Sequence, residues 1–84
     1  RRVLVVGGGT VAASKVRGLV AAKAVVHVVA KEVFDEVRQL PATWEERPYE
    51  RGEVRGYRYV VACTDDPAVN QAVFDDGEQA GIFV

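Results

Sequence analysis

The chain has 84 residues, 49% hydrophobic and 27% charged, and its 11 basic and 12 acidic residues leave a formal net charge of -1. That length supports one modest core, because a domain of this size hides only about 60% of the surface its unfolded chain exposes, so a two-domain reading is excluded. The scattered, nearly balanced charges give no footprint for nucleic acid, and no apolar run approaches the ~20 residues a membrane span needs.

Valine organises the sequence, with 18 copies against three leucines and one isoleucine. Its short unbroken runs are what parallel strands buried on both faces look like. Val3-Leu4-Val5-Val6 is the first expected strand. Thr10 to Ala22 then carries apolar residues Val11, Ala12, Val16, Leu19 and Val20 at three- and four-residue spacing, which predicts a helix with one buried face. Val25-Val26-His27-Val28-Val29 is the second strand, and Val33 to Leu40 a short second helix ended by Pro41. Residues 43–47 alternate and can form an edge strand. Pro48 to Gly56, with two glycines among charged side chains, is the segment expected to be least ordered. Tyr59-Val60-Val61-Ala62 is a further strand, Ala68 to Ala80 a third helix between Asp65-Asp66-Pro67 and Gly81, and Ile82-Phe83-Val84 a last strand. Alternation of this kind predicts an α/β fold, a Rossmann-like doubly wound parallel sheet of order 3-2-1-4-5. With no methionine anywhere and an apolar run at its end, the sequence reads as one domain over 1–84, a piece of a longer chain cut at the last strand.

The residues that carry chemistry come early. Gly7-Gly8-Gly9-Thr10-Val11-Ala12 leaves a strand and opens a helix with the spacing G-x-G-x-x-A of a dinucleotide fold. Gly7 permits the tight turn, Gly9 lets the backbone approach a pyrophosphate, and Ala12 is small enough for the helix to pack close to the sheet. The free N–H groups of the helix start then face the phosphates. At the end of the second strand an acidic side chain serves the ribose hydroxyls of NAD, whereas a basic one accepts the 2′-phosphate of NADP. Lys31 and Glu32 both stand there, Glu32 lying 23 residues after Gly9, which favours NAD. Ala62-Cys63-Thr64-Asp65-Asp66-Pro67 ends a strand beside the glycine loop, so Cys63, Thr64 and Asp65 would border the nucleotide. Asp65 serves equally well as a helix cap, and Asp66 before Pro67 reads as the cap itself. Cys63 reads as a small packed side chain rather than a nucleophile, and as the lone cysteine it fits a reducing, cytoplasmic setting. His27, among valines and without a metal-binding companion, reads as a packed or edge histidine. Trp44, Tyr49, Tyr57 and Tyr59 make no stacking platform for nucleic acid without basic residues organised around them.

Taken together, Val3 to Ala12, Lys15, Val26 to Ala30, Val60 to Asn70 with its T-D-D-P-x-V-N segment, and the terminal Gly81-Ile82-Phe83-Val84 resemble the N-terminal domain of siroheme synthase over nearly the whole chain. That family comprises the precorrin-2 dehydrogenases, many of them also sirohydrochlorin ferrochelatases. The resemblance implies NAD as cofactor, with Gly7, Gly8, Gly9, Thr10 and Val11 at the phosphates, Lys31 and Glu32 at the adenosine ribose, and Cys63, Thr64 and Asp65 along the nucleotide edge. It implies precorrin-2 as substrate, ferrous iron as a further substrate, and a homodimer formed through chain beyond Val84, where the family also carries its catalytic aspartate. Three positions depart from the family: Ser14 replaces an arginine, Lys31 a proline and Lys23 a glycine. The last change would strain the turn after the first helix if that turn is left-handed. The rival reading is a nucleotide-sensing regulatory module of the potassium channel or transporter type, and a third is an ordinary short-chain or sugar dehydrogenase. The T-D-D-P-x-V-N segment argues against both.

Overall fold

Each valine run becomes a strand with a neighbour on either side or a helix across its face. A computed structural model describes residues 1–84 as β1 (Arg2–Val6), α1 (Thr10–Ala21), β2 (Val25–Ala30), α2 (Asp35–Arg38), β3 (Thr43–Glu46), β4 (Tyr59–Ala62) and α3 (Pro67–Ala80). The sheet order is β3-β2-β1-β4, with every pairing parallel. Beyond β4 the expected fifth strand is reduced to a bridge between Tyr59 and Phe83, closed by the Val60 N–H donating to the Phe83 carbonyl at 3.0 Å. The order thus matches the expected one, with its last member represented by a single contact.

Because successive strand side chains point to opposite faces, β1 feeds two cores at once. Val3 and Val5 pack with Val26 and Val28 of β2 under Ala12, Ala13 and Val16 of α1 and Val37 of α2. Leu4 and Val6 pack on the other face with Val29, Val60, Val54 and Val73 of α3. Val11 departs from the expected helix stripe. It is 58% exposed, and Ala13 takes its place in the core. The second helix is also shorter than expected, because Val33 is held back in the loop: its N–H donates to the Glu46 carboxylate at 3.0 Å, and Phe34 is extended at φ −67°, ψ 152°.

The segment Pro48–Gly56 corrects the expectation of least order. Val54 is fully buried there, and the Asp76 carboxylate, itself 7% exposed, reaches across from α3. It accepts from the Tyr49 hydroxyl at 2.6 Å, from Arg51 at 2.8 Å and from the Gly52 N–H at 2.9 Å. The Arg51 guanidinium, then the Tyr49 hydroxyl and the Gly52 amide, hold Asp76 well below the usual carboxylate range. Irregular backbone is ordered here because one buried carboxylate satisfies its donors.

Both long helices close on a left-handed residue. In α3 this is Gly81 at φ 70°, with the Ile82 N–H returning to the Gly77 carbonyl at 2.8 Å. After α1 the same closure falls on Lys23 at φ 69°, with Lys23 N–H to Val20 O at 2.9 Å and Ala24 N–H to Leu19 O at 3.0 Å. The position where the family resemblance expects glycine does require a left-handed backbone. No helix is long and apolar enough to cross a membrane.

Candidate nucleotide-binding site

In a parallel sheet the carboxyl ends of all strands share one rim, and here the chain leaves β1 for the helix on one face while β4 lies on the other side of it. This is the topological position at which open α/β sheets bind ligands. The loop Gly7-Gly8-Gly9 sits at that rim, sewn to both neighbours: the Gly7 N–H donates to the Val29 carbonyl at 3.0 Å, and the Cys63 N–H to the Val6 carbonyl at 2.9 Å.

The three glycines differ in what they exclude. Gly7 has φ +138°, and a Cβ there would lie 2.8 Å from the Cys63 carbonyl oxygen and 2.9 Å from its Sγ. A Cβ on Gly8 would run into the Glu32 carbonyl oxygen and lie 2.9 Å from Ala30 Cβ. Gly8 is therefore held by the chain itself, through a close approach of the loop after β2 that the sequence motif does not reveal. Gly9 is the exception. A Cβ there would meet only the Phe34 ring, at 3.8 and 3.9 Å, an ordinary contact.

Next to Gly9 the first turn of α1 is unfinished. The helix has no side-chain cap and no acidic residue in its first turn. Its first closing bond is Ala13 N–H to Gly9 O at 3.0 Å, so the amides of Thr10, Val11 and Ala12 have no acceptor within the chain. The start of α3 is the opposite case: Asp66 accepts from the Ala68 N–H at 2.9 Å, directly before Pro67. Asp66 is the cap that its place before proline suggests.

The segment after β4 is largely satisfied internally. The Thr64 hydroxyl donates to Asn70 Oδ1 at 2.7 Å and accepts from the Asp66 N–H at 3.1 Å, and the Asn70 amide returns a bond to the Thr64 carbonyl at 3.0 Å. The T-D-D-P-x-V-N pattern thus encodes a strand-to-helix turn locked by Thr64 and Asn70. Cys63 is half-buried beneath Gly7, and burial pushes its thiol up, against a smaller opposing pull from Lys15. A neutral packed thiol is not a nucleophile. Asp65 is exposed and engaged in no hydrogen bond.

On the opposite side of the glycine loop, Lys31 and Glu32 are exposed at the end of β2. The loop that carries them is fixed by Arg38, which donates to the Val33 carbonyl at 3.0 Å and to Glu46 at 2.9 Å and lies 4.4 Å over the Trp44 ring. Glu46 is held below its usual range first by the Val33 amide and then by Arg38. The Thr10 hydroxyl donates to Glu36 of α2 at 3.0 Å, a contact with no signal in the sequence motif. His27 lies away from this rim, bonded to Thr43 at 2.6 Å and Glu45 at 2.8 Å on β3, and of the two expectations, packed or edge, it is the packed one, on a strand inside the sheet.

Residues 1–84 match throughout a family model whose description is "Putative NAD(P)-binding". The chain belongs to this NAD(P)-binding family. Within that family setting it is similar to the siroheme synthase of Chromobacterium violaceum, 44% identical over 96 residues covering 100% of the chain and 19% of that protein. The siroheme synthase of Actinobacillus pleuropneumoniae serotype 7 is 42% identical over 82 residues, covering 93% of the chain and 17% of that protein. Among solved structures it is similar to "SirC, precorrin-2 dehydrogenase", with a TM-score of 0.82 and 31% identity over 88% of the chain and 39% of that one. The chain therefore spans under a fifth of these siroheme synthases, and its NAD(P)-binding fold corresponds to one part of them.

Proposed function

We propose that residues 1–84 act as one domain, the NAD-binding module of a precorrin-2 dehydrogenase. The observation that carries the binding half of this reading is the pairing of an unobstructed Gly9 with the uncapped start of α1. Gly9 alone of the three loop glycines has room for a side chain within the chain, and beside it three backbone N–H groups have no acceptor. A pyrophosphate supplies both the acceptors and the reason for a missing side chain. Gly7, Gly8, Gly9, Thr10 and Val11 form the phosphate side of the site, Val11 standing exposed at the helix start. Glu32 takes the ribose hydroxyls with Lys31 beside it, and Asp65 with the backbone of Cys63 and Thr64 borders the nicotinamide side. The Thr64 side chain serves the turn.

The substrate half rests on the similarity to siroheme synthases and to SirC. NAD held by the Gly7–Val11 loop and Glu32 would supply the hydride acceptor for oxidation of precorrin-2 to sirohydrochlorin, the second hydrogen leaving as a proton. This domain's part is to hold the nicotinamide at the strand ends while further chain brings the macrocycle alongside. Ferrous iron as a second substrate, a homodimer and a cytoplasmic location belong to the same proposal. Within residues 1–84 no three His, Cys, Asp or Glu side chains converge as a metal site, so iron handling would use groups elsewhere in the parent chain. The similar proteins named above are enzymes, and nothing at the rim favours the regulatory reading.

Calorimetric titration with NAD and with NADP tests the cofactor. The expected result is tighter binding of NAD, abolished in Gly9→Val. Preference for NADP would transfer the ribose role to Lys31, and binding of neither would overturn the reading. Oxidation of precorrin-2 by the full-length parent with NAD tests the substrate.

A further inference from the structure

Parallel pairing puts the amino ends of the strands on a second rim, opposite the glycine loop, and basic residues scattered in the sequence gather there. Of the 11 basic residues, Arg17, Arg38, Arg47 and Arg51 are held by carboxylates. Arg1, Arg2, Lys23, Arg55 and Arg58 stand at or just before the starts of β1, β2 and β4, all exposed and none in an ion pair. Backbone bonds tie them into one surface: the Val25 N–H donates to the Arg1 carbonyl at 2.7 Å, and the Arg58 N–H to the Arg2 carbonyl at 2.9 Å. The Arg2 guanidinium donates to the Gly56 carbonyl at 3.3 Å and lies 4.7 Å over the Tyr57 ring. On a neighbouring element, Glu78 in the last turn of α3 is the carboxylate toward this rim, and it too is unpaired. Glu32, Asp35, Glu36, Asp65 and Asp66 stand on the opposite rim, so the formal net charge of -1 conceals two opposed fields.

Cations beside helix C-termini are ordinary, because they complement the dipole. Neither long helix has a basic residue in its last turn, and four of these five side chains come instead from the start of β1 and the segment before β4. Like charges gathered without counter-charges repel one another and cost stability. Beside them lies an open cleft of about 480 Å³, lined by Arg55, Gly56, Tyr57, Gln79, Ala80 and Ile82. Its lining joins a guanidinium and an amide to apolar side chains, which suits carboxylates interspersed with apolar groups. Nucleic acid is the less suited polyanion: Tyr57 has one face under Arg2 and packs into the core on the α3 side, and a long strand would meet the acidic remainder of the molecule. We infer that the amino-end rim is a docking surface for an acidic segment of a partner protein, its carboxylates engaging Arg2, Arg55 and Arg58 and its apolar side chains entering the cleft beside Tyr57. Such a partner leaves the dinucleotide rim free.

The test uses the full-length parent chain and a dye-labelled peptide of alternating glutamate and leucine, read by fluorescence anisotropy over a salt series. Wild type is expected to bind the peptide at low ionic strength and to release it as salt rises, because exposed charges are screened. Charge reversal in Arg55→Glu with Arg58→Glu should weaken binding at least tenfold. Arg55→Lys with Arg58→Lys, which keeps the charge but not the planar fork, should fall between. Both variants should melt no lower than wild type, since neither side chain is buried or paired. A peptide with serine in place of leucine should bind more weakly. A wild type that does not bind the peptide, equal binding by wild type and the charge-reversed variant, or equal binding of the serine and leucine peptides overturns the inference. Tighter binding of oligodeoxythymidine or of inorganic phosphate than of the peptide also overturns it, and makes the rim a nucleic-acid or small-anion site.

Discussion

Replacing Gly9 with alanine tests the proposed site apart from folding, because the added methyl has room in the chain and, on the proposed reading, would stand beneath a pyrophosphate. Gly9→Ala is expected to melt at or slightly above the wild-type temperature while its affinity for NAD falls at least tenfold, as read by differential scanning calorimetry and titration side by side. Gly8→Ala should do the reverse. Its methyl meets the Glu32 carbonyl, so the loop after β2 must shift, and overpacking of this sort costs about 1–3 kcal/mol. The ligand role read for Gly9 belongs to the proposal, whereas the turn at Gly7 was legible in the sequence because turn geometry is encoded in a six-residue motif. Gly8 was not, nor was the Thr10 to Glu36 bond, since each depends on a partner more than twenty residues away whose position only the packed sheet defines.

At the scale of elements, the ends of helices are where sequence and structure agree most closely. The Asp66-Pro67 start and the Gly81 stop of α3 were readable, as was the vulnerability of Lys23. Its positive φ places a Cβ where L-residues are strained. Lys23→Gly is expected to stabilise the fold by about 0.5–1 kcal/mol, measured as a shifted urea midpoint with unchanged slope. The segment Pro48–Gly56 was misjudged because composition reports propensity, whereas Val54 and Asp76 supply anchoring that only long-range contact reveals. Asp76→Ala leaves the Tyr49 hydroxyl and Gly52 amide without their acceptor, so a loss of about 2 kcal/mol is expected in urea unfolding at pH 7. The pH dependence has a definite sign. A carboxyl depressed in the folded state contributes stability that is present above its unfolded value near ~3.9 and is lost as pH falls through the lower folded value. Between pH 7 and pH 3, Asp76→Asn should therefore lose less stability than wild type.

For the whole molecule, strand order and the doubly covered sheet followed from valine runs separated by helical spacing, since parallel strands buried on both faces leave few other arrangements. The fifth strand, read from the sequence as cut short, is represented by the single bridge between Tyr59 and Phe83. A chain of 84 residues has a narrow margin, roughly 4–13 kcal/mol at the usual stability per residue. Leu4, fully buried in β1, is therefore a severe site: Leu4→Ala is expected to remove about 3–5 kcal/mol and to place the melting transition close to ambient temperature. The same narrow margin makes ligand linkage easy to see. NAD at a hundred times its dissociation constant adds about 2.7 kcal/mol, a rise of roughly 10–20 °C for a domain this small. A thermal scan with NAD should show that rise in wild type and none in Gly9→Val.

The uncapped start of α1 has a consequence for the order in which the molecule becomes rigid. Thr10, Val11 and Ala12 have amide protons with no acceptor in the chain, whereas the Ala68 amide of α3 is already bound by Asp66. Without dinucleotide, the former should exchange with deuterium almost as fast as in a peptide; with dinucleotide bound, they should slow sharply while Ala68 stays as it was. Three consecutive amides whose protection follows occupancy would make the first turn of this helix a reporter, built into the backbone, of whether the cofactor is in place.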